Sequence, residues 1–156
     1  MKIPLTQGKF AIVGPKDYAF LMQWKWCYDN GYAARTDRTG SKQRSIYMHR
    51  VILGRMGFED FVRSDHIDRN PLDNRRCNLR PATSSQNGYN RDRHKNNTSG
   101  YTGVCWARRK GKWRAQIRVN KKLKHLGYYD DLKEAARVYD KAALKYHGDF
   151  ATLNEV

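Results

Sequence analysis

A carboxylate and an imidazole stand side by side at Asp65 and His66, in a stretch rich in Asp, Asn and Arg that runs over residues 64–80. A carboxylate can bind a hard divalent cation, and an imidazole can accept a proton from water near neutral pH. Phosphodiester hydrolysis needs both parts: a base for the water, and a cation for the charge that develops on the phosphate and the leaving oxygen. Asp and Asn clusters are also typical of turns, so a purely structural loop is the alternative.

The chain as a whole is strongly basic. Its 156 residues include 31 Lys and Arg against 15 Asp and Glu, which gives a formal net charge of +16 and a pI near 10.0. Such a charge indicates a polyanionic partner, most often nucleic acid. Hydrophobic residues make up 39% of the chain, enough for small cores, which excludes a wholly disordered basic tail.

Several other classes of protein do not fit the sequence. No apolar run approaches the roughly 20 residues that a membrane span requires, and the N-terminal residues lack the apolar stretch of a secretory signal. The three cysteines, Cys27, Cys77 and Cys105, are widely separated and odd in number, which favours reduced thiols over a disulfide framework or a four-cysteine zinc site. We therefore expect a cytoplasmic protein without a membrane partner, located in the host cytoplasm if a phage encodes it.

The first 52 residues predict short elements separated by turns. We expect a strand over residues 9–13, a helix over residues 18–23 capped by Asp17, and a hairpin that turns at residues 29–31. Two Trp and one Tyr within residues 24–28 predict a small aromatic core. Residues 45–52 fit a strand or a helix, and their pattern does not decide between the two.

The C-terminal third alternates cleanly between apolar and polar residues. Over residues 112–120 one face carries Trp113, Ala115, Ile117 and Val119, and the other carries Lys112, Arg114, Gln116 and Arg118. This period of two predicts a strand with one buried face. Partner strands are expected over residues 101–107 and 123–128, followed by a helix over residues 132–146 that Asp130 or Asp131 would cap. The prediction is three antiparallel strands backed by one helix.

Positive charge is concentrated around this predicted sheet. Residues 91–122 contain eleven Lys or Arg against one Asp. A charge run is often only a solvated face. Here it occupies one side of a strand and its flanking turns, and a sheet that enters the major groove can read guanine and adenine with Arg and Gln.

Five spaced blocks in this part, at residues 99–104, 111–117, 126–129, 134–140 and 153–154, resemble the ethylene-response-factor (AP-two) type of DNA-binding domain. The resemblance covers about residues 99–154 and implies a sheet that lies in the major groove. Cys105 stands where plant members commonly have arginine, so their target preference does not carry over. Trp106 and Trp113 are expected in the core rather than stacked on bases. The DNA contacts that the resemblance implies are Lys112, Arg114, Gln116 and Arg118 on the exposed strand face, Arg108 and Arg109 in the preceding turn, and His125 on the third strand.

Four blocks at residues 48–51, 65–68, 74–80 and 86–87 resemble the HNH endonucleases, also called His-Me finger or ββα-metal nucleases. The resemblance is to the homing-type enzymes of phages and introns, and it spans about residues 46–90, with a weaker likeness of residues 1–45 to their N-terminal extension. It implies that His66 is the general base, that Asp65 and Asn87 bind one Mg²⁺ (or another divalent cation such as Mn²⁺), and that Asn78 braces the loop between strand and helix.

The resemblance leaves four further basic residues less defined. Arg50, Arg75 and Arg80 are candidates for phosphate contacts, and surface solubility is the alternative for each of them. His49 matches a histidine that recurs in the family, and both a structural role and a phosphate contact remain open for it.

Together these features predict an α+β fold in two parts. An N-terminal ββα-metal HNH nuclease module with a β-rich extension is expected over residues 1–92, a basic linker over 93–98, and over 99–156 an AP-two type domain with a three-stranded antiparallel sheet packed on one helix. The predicted function is a metal-dependent, homing-type endonuclease that acts as a monomer on double-stranded DNA and nicks one strand. The alternatives are a non-catalytic, sequence-specific DNA-binding regulator and a nucleic-acid-packaging protein.

Overall fold

The computed structural model of the chain describes residues 1–40, 42–58, 63–93 and 95–156. Within these ranges it contains ten strands and four α-helices, and the strands pair antiparallel in four small sheets. The predicted α+β class is confirmed at this level. The chain forms two compact units, Met1–Thr83 and Ser84–Val156, each with hydrophobic core residues of its own. None of the described helices is long and apolar enough to cross a membrane.

The N-terminal unit is built from three small sheets and two α-helices. Its elements are β1 (Lys2–Pro4), β2 (Phe10–Ile12), α1 (Pro15–Leu21), β3 (Cys27–Asp29), β4 (Tyr32–Asp37), β5 (Arg44–Tyr47), α2 (Met48–Arg55), β6 (Arg63–His66) and β7 (Leu79–Ala82), with 3-10 helices at Thr6–Gly8 and Arg76–Asn78. The sheets are β1–β2, β3–β4–β5 and β6–β7. The two strands β6 and β7 form the hairpin that carries Asp65 and His66.

The predicted hairpin at residues 29–31 is confirmed. Strands β3 and β4 pair from Cys27 opposite Ala34 to Asp29 opposite Tyr32. The turn residues Asn30 and Gly31 have φ angles of 47° and 95°. Positive φ at both turn positions is what the tightest hairpin turns require, and Asn-Gly is the pair that adopts it most readily.

Two sequence expectations in this unit need revision. Residues 45–52 are neither all strand nor all helix, because β5 ends at Tyr47 and α2 begins at Met48. The prediction that Asp17 caps α1 was wrong. The helix begins earlier, with Pro15 in its first turn after Gly14, and Asp17 lies inside it. Proline suits the first helical position because it has no N–H to leave unsatisfied.

The buried carboxylate of Asp17 instead connects α1 to two other helical segments. It is fully buried and accepts hydrogen bonds from Arg55 on α2 and from Arg76 in the 3-10 helix before β7, at 2.7 to 2.9 Å. The side-chain hydrogen bond from Arg76, followed by that from Arg55, holds the pKa of Asp17 below its usual value despite burial. The site hairpin is thereby tied to the first helix.

The core of the N-terminal unit lies between these elements. Its fully buried side chains include Ile3, Leu21, Met48, Ile52 and Leu53. The predicted aromatic core is part of it: Trp26 is buried, and Trp24 and Tyr28 pack against the cluster. Helix α2 therefore presents one apolar face inward and carries His49 at its start.

The C-terminal unit contains α3 (Ser84–Tyr89), β8 (Val104–Ala107), β9 (Lys112–Val119), β10 (Lys122–Tyr129), α4 (Leu132–His147) and a 3-10 helix at Gly148–Phe150. The sheet order β10–β9–β8 is antiparallel, and α4 packs on it through alanines that include Ala135, Ala136 and Ala143. The predicted sheet backed by one helix is confirmed. Asp131 caps α4, since its Oδ1 accepts a hydrogen bond from the Glu134 amide at 2.7 Å.

Strand β8 begins three residues later than predicted, after a turn at Gly103. This glycine has a φ of +75°, and a β-carbon built on it would lie 2.0 Å from Cδ2 of Tyr139. Helix α4 thus approaches the sheet so closely here that no side chain fits. His94, in the predicted linker over 93–98, and residues 59–62, in the predicted nuclease module, lie outside the described residues.

Candidate active site and nucleic-acid interface

The hairpin of β6 and β7 places the acidic and imidazole groups at the end of a strand. Asp65 is paired with Arg80 and His66 with Leu79 in the antiparallel register. Both Asp65 and His66 are buried, at 5% and 8% exposure. Buried ionisable groups require partners.

The first partner is Arg80, one of the three arginines predicted to contact phosphate. Its Nη2 and Nε lie 2.7 and 2.8 Å from Oδ2 of Asp65, and its side chain is mostly buried. The structure thus brings Arg80 into the site as the cation that neutralises Asp65 in the hairpin.

The ring of His66 lies among other aromatic groups. The ring of His49 meets it edge-on, with centroids 5.3 Å apart, and the ring of Tyr32 lies at 6.3 Å. Tyr47 stacks on His49 with an interplanar angle of 11°. In the described part of the chain Nδ1 of His49 is buried and makes no hydrogen bond. His49, for which the sequence left the role open, therefore packs directly against the candidate base.

The electrostatic environment favours neutral imidazoles. Burial lowers the pKa of His66 below its usual value, although Asn74 and the carboxylates of Asp68 and Asp65 act in the opposite direction. Burial, reinforced by the charges of His66 and Arg50, lowers the pKa of His49 to about 3. A neutral imidazole carries a lone pair, so His66 has the protonation state that a general base needs at physiological pH.

Asn78 holds the loop that follows His66. Its Oδ1 accepts a hydrogen bond from the Asp68 amide at 2.9 Å, and its Nδ2 donates to Oδ1 of Asp68 at 2.7 Å and to the backbone oxygen of Asp73 at 2.8 Å. Its own carbonyl accepts from the Ile67 amide at 2.9 Å. These contacts span the loop from both ends.

The same loop is also attached to strand β2. The Ile12 amide donates to the carbonyl of Leu72 at 2.8 Å, and the Asn74 amide donates to the carbonyl of Ile12 at 2.7 Å. Asp73, between them, forms a parallel bridge with Ile12. The loop beside the candidate base therefore continues a sheet that begins more than fifty residues earlier in the chain.

Asn74 is a residue to which the sequence analysis gave no role. It is fully buried, and its Oδ1 lies 3.4 Å from Nε2 of His66. It stands in the run of Asp, Asn and Arg between the two motif positions Asp65 and Asn78. The block at residues 74–80 includes Asn74 and leaves out Asn70, but it gives no sign that Asn74 is buried and Asn70 exposed.

The remaining predicted residues of this site lie in different settings. Arg75 pairs with Asp73 through Nη2 at 2.5 Å and lowers the pKa of that carboxyl by its side-chain hydrogen bond, while Arg50 is exposed on α2. Asn87 lies on α3, a short helix of the C-terminal unit. Its place in a metal site remains a prediction from the motif.

The donor types suit a hard cation. No cluster of three or more His, Cys, Asp and Glu side chains suited to a metal ion occurs in the described ranges. Mg²⁺ does not need one, because it commonly keeps several waters and is held by one or two carboxylates together with substrate phosphates. The Asp65 carboxylate accepts from Arg80 through Oδ2, and a carboxylate offers about four lone-pair positions. The Asp65 carboxylate is therefore of the chemical type that holds Mg²⁺.

The sheet of the C-terminal unit carries the predicted DNA contacts. Ala115 and Ile117 are buried under α4, whereas Arg118 is exposed and Arg114 and Gln116 are half-buried on the opposite face of β9. The predicted separation of apolar and polar faces is present. Lys112, at the start of the strand, pairs with Asp130 at 3.0 Å.

Residues on the strands and the turn next to β9 extend its polar face. Arg114 Nη2 lies 3.3 Å from Sγ of Cys105, its register partner on β8. His125 on β10 is exposed, with its ring 4.6 Å from that of Tyr128. Arg108 and Arg109 are exposed in the turn between β8 and β9. All seven predicted contact residues thus lie on this sheet or its turn.

Trp113 and Trp106 differ in burial. Trp113 packs against the core of the C-terminal unit, as predicted. The same prediction for Trp106 was wrong: it is 46% exposed and touches Trp113 only edge-on, with centroids 5.0 Å apart. Strand β8 is an edge strand, so Trp106 has a neighbouring strand on one side only.

Comparison with known proteins finds relatives for both resemblances seen in the sequence. The AP2 domain family, the AP-two type expected from the sequence, matches residues 99–149. APETALA2-like protein 2 of Oryza sativa subsp. indica is 42% identical over 57 residues, 36% of this chain and 13% of that protein.

Two relatives extend beyond this domain. The uncharacterized HNH endonuclease L560 of Acanthamoeba polyphaga mimivirus is 28% identical over 152 residues, which cover 96% of this chain and 77% of the relative. Protein 3.8 of Escherichia phage T7 is 36% identical over 87 residues, 56% of this chain and 71% of the relative. The chain therefore belongs to the same family as phage T7 protein 3.8, and it combines homology to an HNH endonuclease with a C-terminal AP2 domain.

Proposed function

We propose that the protein is a metal-dependent, homing-type DNA endonuclease that nicks duplex DNA. The observation that carries this proposal is the buried, neutral imidazole of His66 beside the carboxylate of Asp65, on a hairpin whose loop is braced by Asn78. The homology to a protein named as an HNH endonuclease supports the same chemistry.

In this mechanism His66 takes a proton from the attacking water. Its depressed pKa keeps the ring unprotonated at neutral pH, and the packing of His49 limits its movement. Asp65 and Asn87 are the residues that would hold a divalent cation, Mg²⁺ or Mn²⁺, and the cation would supply stabilisation of the negative charge that develops during the hydrolysis. Asn78 maintains the loop that positions His66.

The AP2 domain supplies the affinity for duplex DNA. The polar face of β9, with the turn before it and His125, lies in the major groove in this proposal, where Arg and Gln read base edges. Residues 93–98 act as a basic linker between residues 1–92 and 99–156, so that docking raises the effective concentration of the nuclease at the bound site. A single centre attacks one strand per event, and a monomer therefore nicks.

The test is cleavage of supercoiled plasmid by the full-length protein, with Mg²⁺ or with EDTA, beside His66→Ala. We expect nicked circles that require the metal and disappear in the variant. Gln23→Ala, an exposed change in the same unit, is purified in parallel and controls for a contaminating nuclease. A gel shift without nicking in Mg²⁺ or Mn²⁺ would instead favour the non-catalytic DNA-binding regulator.

A further inference from the structure

We propose that Asn74 is a positioning residue that fixes His66 with a hydrogen on Nε2, so that Nδ1 is the atom that accepts the proton from water. The inference rests on the proposed function, in which His66 is the general base. It concerns a residue to which neither the motif nor the comparisons assign a role.

The orientation of the Asn74 amide determines the tautomer. Its Nδ2 lies 3.4 Å from the carbonyl oxygen of Pro71, which can only accept a hydrogen bond. The amide oxygen must therefore be the end that faces His66, where it lies 3.4 Å from Nε2. The reversed amide would set two oxygens against each other at Pro71. Since the amide oxygen can only accept, the hydrogen of the neutral imidazole is on Nε2, and the lone pair is on Nδ1.

The position of Asn74 is fixed independently of the imidazole. The side chain is fully buried, and its backbone amide donates to the carbonyl of Ile12 at 2.7 Å. Two residues earlier, Leu72 accepts from the Ile12 amide at 2.8 Å. Strand β2 therefore holds the backbone at Asn74 and two residues before it, which makes Asn74 a rigid acceptor for His66.

Two aromatic contacts of the ring have a different effect. His49 and Tyr32 touch His66 ring against ring, which restricts the tilt of the imidazole but does not distinguish its two nitrogens. Asn78 bonds to the loop backbone and to Asp68. Asn74, in contrast, supplies a hydrogen-bond acceptor to one particular nitrogen of the ring. The catalysed reaction becomes much slower when the general base has the wrong tautomer, even if the position of the ring is unchanged.

The test compares Asn74→Leu, which removes the acceptor from a side chain of similar size, with Asn74→Asp, which retains an oxygen toward Nε2. Asn70→Asp is the matched control, because it makes the same charge change at an exposed position of the same loop. The tautomer is measured in the full-length protein by two-bond ¹⁵N–¹H correlation spectra of the histidine rings, with His66 assigned by its absence in His66→Ala. Single-turnover nicking and duplex affinity are measured on the same samples.

We expect the Nε2–H tautomer in the wild type, in Asn74→Asp and in Asn70→Asp, and a population of the Nδ1–H tautomer in Asn74→Leu. The nicking rate of Asn74→Leu should fall by about 10- to 100-fold with duplex affinity unchanged, and Asn74→Asp should recover most of that loss.

An Nδ1–H tautomer in the wild type would overturn the inference, and so would Asn74→Leu with wild-type tautomer and rate. The wild-type spectrum can overturn the inference in this way even if Asn74→Leu does not fold. If the spectra agree with the expectation and no protein nicks DNA, the assignment of Asn74 stands and the proposed nuclease function fails.

Discussion

Arg80 and Asp65 are register partners in the β6–β7 hairpin, and Nη2 of the arginine lies 2.7 Å from Oδ2 of the carboxylate. The acidic residue assigned to metal binding is thus already neutralised by a cation of the protein. A divalent ion would share the Asp65 carboxylate with Arg80. The binding of the ion and the Arg80–Asp65 ion pair should therefore affect each other.

Arg80→Gln should therefore make the fold more dependent on Mg²⁺. Removing the arginine leaves the buried Asp65 without its ion-pair partner, which should lower the free energy of unfolding by about 3 kcal/mol without metal. An ion that binds only the folded state then restores part of this loss. Thermal unfolding with and without Mg²⁺ measures the effect. Arg38→Gln, at an exposed position of the same unit, is the control, and equal stabilisation of Arg80→Gln and wild type by Mg²⁺ would contradict the linkage.

The stability should also depend on pH through Asp17. Its pKa is lowered chiefly by the hydrogen bond from Arg76, so its contribution is present above the unfolded pKa of about 4 and is lost as the pH falls through the lower folded value. Asp17→Asn should lower the free energy of unfolding at neutral pH by about 2 kcal/mol.

Urea unfolding of wild type and D17N at neutral and at acidic pH tests this prediction. The difference between the two proteins should shrink as the solution becomes more acidic. A difference that is constant over this range would show that the charge on the carboxylate is not the source of the stabilisation.

Gly103→Ala should destabilise the C-terminal unit severely. The added β-carbon would meet Cδ2 of Tyr139 at 2.0 Å and the carbonyl of Gln116 at 2.7 Å, in addition to the strain of a positive φ. We expect a loss of about 3 kcal/mol or more. The control is Gly111→Ala, where φ is +62° but no atom lies within 4 Å of the new carbon, and where about 1 kcal/mol is expected. Denaturant melts compare the two, and equal losses would mean that the close approach of α4 is not what excludes a side chain.

The salt dependence of DNA binding should identify the docking face. Arg118→Ala removes an exposed cation from β9, and removing one cation that pairs with a phosphate should reduce the slope of log affinity against log salt by about 1. Lys133→Ala, an exposed cation on α4, should leave the slope unchanged. Fluorescence anisotropy of a labelled duplex in increasing salt gives both slopes. A larger effect at Lys133 than at Arg118 would place the DNA on the helix side.

The features that were predicted best from the sequence are those determined by residues close together in the chain. Alternation at Ala115 and Ile117 gave the correct buried face of β9, and the Asn30–Gly31 pair gave the correct hairpin, because both follow from local backbone geometry. The switch from β5 to α2 at Met48 was not decidable, since residues 45–52 satisfy both periods and the helix is stabilised by core contacts made through Ile52 and Leu53.

Long-range contacts were beyond such prediction. Asp17 looks like a helix cap in the sequence, and its real partners stand 38 and 59 residues away. In the candidate site, the motif indicated Asp65, His66 and Asn78 as residues that act together. It gave no sign that Asn74 is buried against the imidazole or that Arg80 pairs with Asp65, because both depend on the register of a hairpin and on a strand from the start of the chain.

The two backbone hydrogen bonds between Ile12 and the loop at Leu72 and Asn74 set a limit on how this protein can be recombined. A segment that carried only the motif, from His49 to Asn87, would arrive in a new gene without the strand on which its loop completes its pairing. A crossover that preserves the geometry around His66 must therefore fall before β1 or beyond the hairpin. The first strands and the motif therefore act as a single structural block.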